Sequence, residues 1–194
     1  MQPASVSDQA LMERVVSRDP SALDVLYERY ARAVYSLVYR ILGDGSAAED
    51  VVQEVFLKLW KQPESYNAER GALGSWLLSV AHNRAIDQLR RRKSREEHPL
   101  PELRESEELV ADGALDPADL AGLNEAAAAI RRALAQIPPA QRRAIEMAFF
   151  EGKTHVEIAA ELDEPLGTAK TRIRLGMRKL RSILEAEGVV TQTA

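Results

Sequence analysis

Residues 154–181, THVEIAAELDEPLGTAKTRIRLGMRKLR, constrain the fold more than any other stretch of the chain. Thr154 and Glu157 have the Thr-x-x-Glu spacing in which each side chain satisfies a backbone N–H of the other, so the pattern predicts a helix start at Thr154. Ile158, Ala159 and Leu162 give this helix one apolar side. Asp163-Glu164-Pro165 then breaks it, with the proline placed to open a second helix where its missing N–H costs nothing. Leu166, Ala169, Ile173, Met177, Leu180 and Leu184 recur at three- and four-residue steps and predict one apolar stripe on that second helix. Lys170, Thr171, Arg174, Arg178 and Arg181 share the adjacent face, with Gly167 among them. A basic face beside an apolar stripe, entered through a capped turn, is what a helix needs in order to lie in a DNA major groove.

Net charge argues against nucleic acid until its distribution is considered. The chain of 194 residues carries a formal −4. Residues 1–95 hold 14 basic and 12 acidic side chains, residues 96–125 one and ten, and residues 126–194 eleven and eight. Two mildly basic ends thus flank an acidic middle, and the whole-chain charge describes neither end. No cysteine is present, which excludes disulfides, thiolate zinc sites and thiol chemistry. His82, His98 and His155 have no ligand spacing, and no nucleophile–base pair stands out, so no enzyme activity, cofactor or metal is expected. The N-terminus lacks a secretory pattern and no apolar run reaches 18 residues, so the expectation is a cytoplasmic protein without membrane insertion.

The remainder reads as helices. One is predicted from Ser7 or Asp8 to Arg18, and a second from Ala22 to Leu42, stopped by Gly43-Asp44-Gly45. A third, Ser46 to Lys61, directs Val52, Val55 and Leu59 to a core. Its other stripe holds Glu49, Gln53, Phe56 and Trp60, with Asp50 and Glu54 beside it; carboxylates mixed with large aromatics suit a surface that receives a partner, the alternative being that Phe56 and Trp60 simply pack inward. After a polar loop, Gln62–Arg70, a fourth helix is predicted from Gly71 to Lys93. Leu77, Leu78, Ala81, Ala85, Ile86 and Leu89 form its buried side. Opposite them Leu73, Trp76 and Val80 give way to Asn83, Asp87, Arg90 and Arg91, a platform for unstacked bases passing into groups that hold phosphates. The run Arg90–Lys93 taken alone is a solvated helix end. Residues 96–122 are acidic and interrupted by proline, which predicts a flexible linker between domains at 1–95 and 123–194. Helices Leu123–Gln136 and Gln141–Glu151 complete an all-α chain of two small helical domains ending in the helix-turn-helix.

Three segments in this order resemble the extracytoplasmic-function (ECF) group of the bacterial sigma-70 family: AEDVVQEVFLKLW at Ala48–Trp60, GALGSWLLSVAHNRAIDQLRRRK at Gly71–Lys93, and Ile137–Arg181. The resemblance implies an RNA polymerase sigma factor that binds core polymerase through the β′ clamp and β flap, and promoter DNA through its minus-ten and minus-thirty-five elements. It assigns Asp50, Gln53, Glu54, Phe56 and Trp60 to core polymerase. Tyr66, Asn67, Trp76, Asn83, Arg84, Asp87 and Arg90 fall to minus-ten DNA, with Tyr66 and Asn67 in a loop that helps capture a flipped base. Gly167, Thr168, Lys170, Thr171, Arg174 and Arg178 fall to the minus-thirty-five duplex. It also implies an anti-sigma factor, able to hold the protein at a membrane. Leu175 stands where many members carry arginine, and Gly176 follows it. Two other classes remain consistent with parts of the sequence: a dimeric helix-turn-helix regulator with an N-terminal sensing domain, and, with little support, an enzyme.

Overall fold

The structure, a computed structural model, describes residues 6–96 and 128–188; these are helical, with no strand among them. The chain divides into two compact units, Met1–Leu115 and Asp116–Ala194. The acidic linker expected at 96–122 lies, from residue 97 onward, outside the described residues.

The first unit contains α1 (Asp8–Val16), α2 (Pro20–Leu42), α3 (Gly45–Lys61) and α4 (Leu73–Glu96). Its helices begin where short polar side chains can accept orphan backbone N–H groups: Ser7 caps α1, Asp19 caps α2 and Asp44 caps α3. Pro20 fills the first turn of α2, which therefore starts earlier than Ala22. Gly43 ends it in the left-handed region at φ 66°, where a side chain would be strained. Helix α2 lies against both α3 and α4. Leu11, Val15, Leu26, Val34, Val38, Val51, Val55, Leu59 and Leu77 are fully buried between the four helices. Each such aliphatic side chain contributes about 1.5–3 kcal/mol relative to exposure.

Two polar ties fasten this bundle. The Asp8 carboxylate accepts from Arg29 and from the Tyr30 hydroxyl, each at 2.5 Å, joining α1 to α2. Burial, and then the neighbouring Asp8 charge, push the Tyr30 phenol far up, so it remains a donor at any physiological pH. At the other end Arg92 donates to the Leu42 carbonyl and to Asp44, both at 3.1 Å. Arg92 is therefore not a solvated helix end as the run Arg90–Lys93 suggested: it closes the C-terminus of α2 onto the cap of α3.

The second unit contains α5 (residues 128–135), α6 (Pro139–Phe149), α7 (His155–Glu161) and α8 (Leu166–Ala186). The reciprocal Thr154–Glu157 cap forms as expected at the start of α7. Asp163 takes a left-handed conformation, φ 51°, and turns the chain. Pro165 is extended and precedes α8 rather than occupying its first turn. One core cluster joins Ala144, Met147, Ile158, Ala159 and Ala169, with Leu162 and Ile173 packed on it. Another joins Ala129, Ala133 and Leu184.

The apolar stripe of α8 differs from the expected one. Leu166 is exposed and Met177 is 48% exposed, whereas Gly176 is buried. The reason is close approach: a Cβ on Gly176 would lie 2.7 Å from Ile145 Cδ1 and 3.2 Å from Gln141 Cβ of α6. Helix α8 meets α6 across a bare backbone, and Met177 turns to solvent. Outside this core, Arg143 and Lys153 pair with both Glu151 and Glu161, clasping α6, the following turn and α7.

Candidate functional site

Three surfaces hold the residues singled out from the sequence. On α3, Asp50, Gln53 and Glu54 are exposed and share one face. Phe56 does not join them: at 4% exposure it is part of the core, its ring 4.8 Å from Tyr27 of α2. Trp60 is half-buried, with the Arg18 guanidinium 5.5 Å from its ring centroid. Arg18 also donates to the Trp60 carbonyl. The stripe expected to mix aromatics and carboxylates is thus an acidic and amide face, with Phe56 beneath it. Leu57, half exposed, stands in that face and was not singled out by residue type alone.

The second surface surrounds a concavity of about 280 Å³ between the loop after α3 and the start of α4, lined by Ser65, Tyr66, Asn67, Arg70, Trp76 and Ser79. The loop is shaped by two short 3-10 turns, Pro63–Ser65 and Ala68–Arg70. Asn67 Oδ1 accepts from the Glu69 N–H at 2.8 Å, which leaves its amide NH2 to donate. The Tyr66 hydroxyl donates to the Gly71 carbonyl at 3.1 Å, and its ring meets Trp76 edge-on at 6.0 Å. Burial, then the charge of Asp8, push the Tyr66 phenol up, so it stays protonated. Lys58 Nζ lies 5.9 Å from the Trp76 ring centroid. An aromatic wall with serine, amide and guanidinium groups around it offers stacking and edge hydrogen bonds together. Leu73, expected on this platform, is instead buried in the core.

From Trp76 the same side of α4 runs on through exposed Asn83, Arg84, Asp87 and Arg90. Arg84 Nε lies 3.6 Å from Glu54 of α3. Both side chains are about half exposed, so the pair contributes little to stability.

The third surface is α8. Gly167, Lys170, Thr171, Arg174 and Arg178 are exposed along one face, and Thr168 is partly covered. Lys170, Arg174 and Arg178 make no ion pair among the described residues. Arg172 pairs with Glu164, and Arg181 with Glu185 at 2.7 Å, so those two cations are neutralised within the unit. The sequence pattern found the helix, but Ser65, Arg70, Ser79 and Lys58 were missed, because their loop and edge positions carry no periodic signal.

Residues 26–95 match the Sigma-70 region 2 family and residues 127–180 the Sigma-70, region 4 family. A curated relative from Mycobacterium bovis (strain BCG / Pasteur 1173P2), the ECF RNA polymerase sigma factor SigK, is 32% identical over 176 residues, covering 91% of this chain and 92% of its own. The SigK of Mycobacterium sp. (strain KMS) is also 32% identical, over 90% of this chain and 89% of its own. Among solved structures, Rhodobacter sphaeroides SigE in complex with the anti-sigma ChrR is 31% identical at a TM-score of 0.44, covering 89% of this chain and 95% of that one. Two sigma-70 regions in one short all-helical chain define the class, and the chain belongs to the ECF group of the sigma-70 family. It is a promoter-recognising RNA polymerase sigma factor, a partner of core polymerase and promoter DNA rather than an enzyme. No helix among the described residues is long and apolar enough to cross a membrane.

Proposed function

We propose that the three surfaces divide initiation between them: the α3 face binds the β′ clamp, the pocket and outer face of α4 take the minus-ten strand, and α8 reads the minus-thirty-five duplex. Residues 1–95 and 123–194 serve as the two working domains, joined by 96–122. The observation that carries this reading is the open pocket in which half-buried Trp76 faces Tyr66 and Asn67 at the head of a helix side bearing Asn83, Asp87 and Arg90. A base released from the duplex stacks there while the following phosphates meet cations. In the second unit, three cations on one face of α8, without an ion pair among the described residues, supply phosphate and base-edge contacts in the major groove. That unit also meets the β flap. The protein acts in the cytoplasm, and an anti-sigma factor that covers these faces, as membership of the group implies, keeps it inactive and can hold it at a membrane.

The test is reconstitution: core polymerase with this protein starts transcripts from a mapped point that neither component starts alone. Independent binding of the protein to a palindromic site as a dimer, with no effect on core polymerase, would assign it to the ordinary helix-turn-helix regulators instead.

A further inference from the structure

The pocket beside Trp76 is seated on residues that do not line it. Gly74 lies in the first turn of α4, two residues before Trp76, and a Cβ there would fall 2.8 Å from Tyr30 Cε1 of α2. The Tyr30 ring therefore packs on bare α4 backbone, in a contact that any side chain at position 74 would obstruct. Trp76 belongs to that same turn, since its N–H donates to the Ala72 carbonyl at 3.2 Å. Ser75, between Gly74 and Trp76, lines the concavity. A hydrogen-bonded helical turn moves as one piece, so the position of the Tyr30 ring sets where Trp76 stands against Tyr66.

The ring is held in its turn by Asp8. The Tyr30 hydroxyl donates to Asp8 Oδ2 at 2.5 Å, while Arg29 donates to Asp8 Oδ1 at 2.5 Å and to the Val6 carbonyl at 3.0 Å. A phenylalanine ring would fill the same space; the hydroxyl adds direction, because a hydrogen bond to a carboxylate is short and oriented. Asp8 opens α1 directly after the Ser7 cap, which fixes the backbone that carries it. Helix α1 also lies against the Pro63–Ser65 turn, whose last residue lines the pocket and precedes Tyr66. One carboxylate thus serves both walls: through Tyr30 it reaches Gly74 and Trp76, and through α1 it backs the loop carrying Tyr66 and Asn67. Its charge reaches the Tyr66 phenol as well, adding to burial in pushing that group up.

We propose that Asp8 and Tyr30 are positioning residues for minus-ten base capture, setting the gap between Trp76 and Tyr66 that an unstacked base must enter. This rests on the reading of that concavity as the minus-ten site. Neither side chain has to touch DNA, because both act through the first turn of α4.

The experiment reconstitutes holoenzyme from core polymerase and the full-length protein. It measures binding of the single-stranded, non-template minus-ten segment of the promoter mapped by that reconstitution. The variants are Tyr30→Phe, Asp8→Ala, the two combined, and Trp76→Ala. Val38→Ala, at a fully buried position two turns further along α2, weakens the fold without touching the tie. The expected result is affinity about tenfold weaker for Tyr30→Phe and for Asp8→Ala, with the double variant no weaker than Asp8→Ala alone. Assembly with core polymerase and binding of minus-thirty-five duplex should stay parental. In a Trp60→Phe background Trp76 is the only indole, and its fluorescence in the free protein should shift with Tyr30→Phe but not with Val38→Ala. If Trp76→Ala weakens capture while Tyr30→Phe and Asp8→Ala capture at the parental level, the positioning role is wrong and the pocket stands. An equal loss of capture in Val38→Ala would reduce Asp8 and Tyr30 to general stability and overturn the proposal. Parental capture by Trp76→Ala would remove the pocket, and this role for Asp8 and Tyr30 with it.

Discussion

Under the proposed division of surfaces, Asn83 and Arg174 would meet nucleic acid by different chemistry, so their variants should fail differently. An amide both donates and accepts, so Asn83 is suited to the edge of an unstacked base where a cation would supply charge without direction. It is exposed on the side of α4 that carries Trp76 two turns earlier and Asp87 one turn later. Asn83→Ala should leave polymerase binding intact and impair promoter opening, with a premelted minus-ten bubble restoring activity only in part. Permanganate reactivity of minus-ten thymines reports this, and parental reactivity on the closed duplex would remove Asn83 from the site. Arg174 makes no ion pair among the described residues, so under that assignment its guanidinium is available to meet a guanine edge in two-pronged fashion. Arg174→Ala should cost about 1–3 kcal/mol at the cognate element and relax preference at one position. A uniform loss over all sequences, measured by competition binding, would make it a phosphate contact.

At the scale of helices, the residues that were legible in the sequence are those whose signal is local. Ser7 and Thr154 cap the helices they precede, because an oxygen beside orphan N–H groups acts within one turn; Asp44, read as part of the stop after α2, caps α3, which therefore starts at Gly45 rather than Ser46. The core-facing side of α3, Val52, Val55 and Leu59, was legible for the same reason, being set by periodicity. What periodicity lacks is knowledge of the opposing surface. Phe56 and Leu73 lie at the edges of their stripes, yet Phe56 is covered by Tyr27 of α2 and Leu73 is 1% exposed. Gly176 was invisible because glycine carries no hydropathy, so the stripe of α8 was drawn through Met177, its neighbour. The contact makes a measurable claim. Gly176→Ala gains about 1 kcal/mol in helix propensity, but it drives a methyl to within 2.7 Å of Ile145 Cδ1. Overpacking costs about 1–3 kcal/mol. The backbone-attached Gln141 Cβ at 3.2 Å limits relief, so the variant should be destabilised. Removing the Ile145 Cδ1 methyl with Ile145→Val should recover part of the loss. A melting temperature for Gly176→Ala above the parental one would overturn this account of the α6–α8 contact.

The whole molecule carries a separate buried core in each unit, and the second has its own electrostatic signature. Burial alone would raise the Glu151 carboxyl, but hydrogen bonds from Lys153 and Arg143 outweigh it and hold the group below its ordinary value of 4.5. A lowered carboxylate contributes stability above its unfolded value and loses it as pH falls through the folded one. For Lys153, burial acts downward but Glu151 and Glu161 outweigh it and raise the ammonium above 10.5, so its share is present below that pH and lost above it. The second unit should therefore melt at progressively lower temperature as pH drops below about 4.5, and Glu151→Gln should flatten that dependence. Calorimetry on the full chain decides it, and a parental slope in the variant would assign the acid lability elsewhere. Separate cores also have a genetic meaning. A charge forced among fully buried residues, as in Met147→Asp, ruins the second unit's core. It leaves Leu26, Val38 and Val55 of the first untouched. If the first unit docks on core polymerase and the second reads the minus-thirty-five element, as proposed, such a chain should still occupy polymerase without placing it on the promoter. Produced beside the intact protein it should act as a dominant poison, lowering reporter output as its dose rises. A recessive phenotype at equal abundance would mean that the two units stand or fall together.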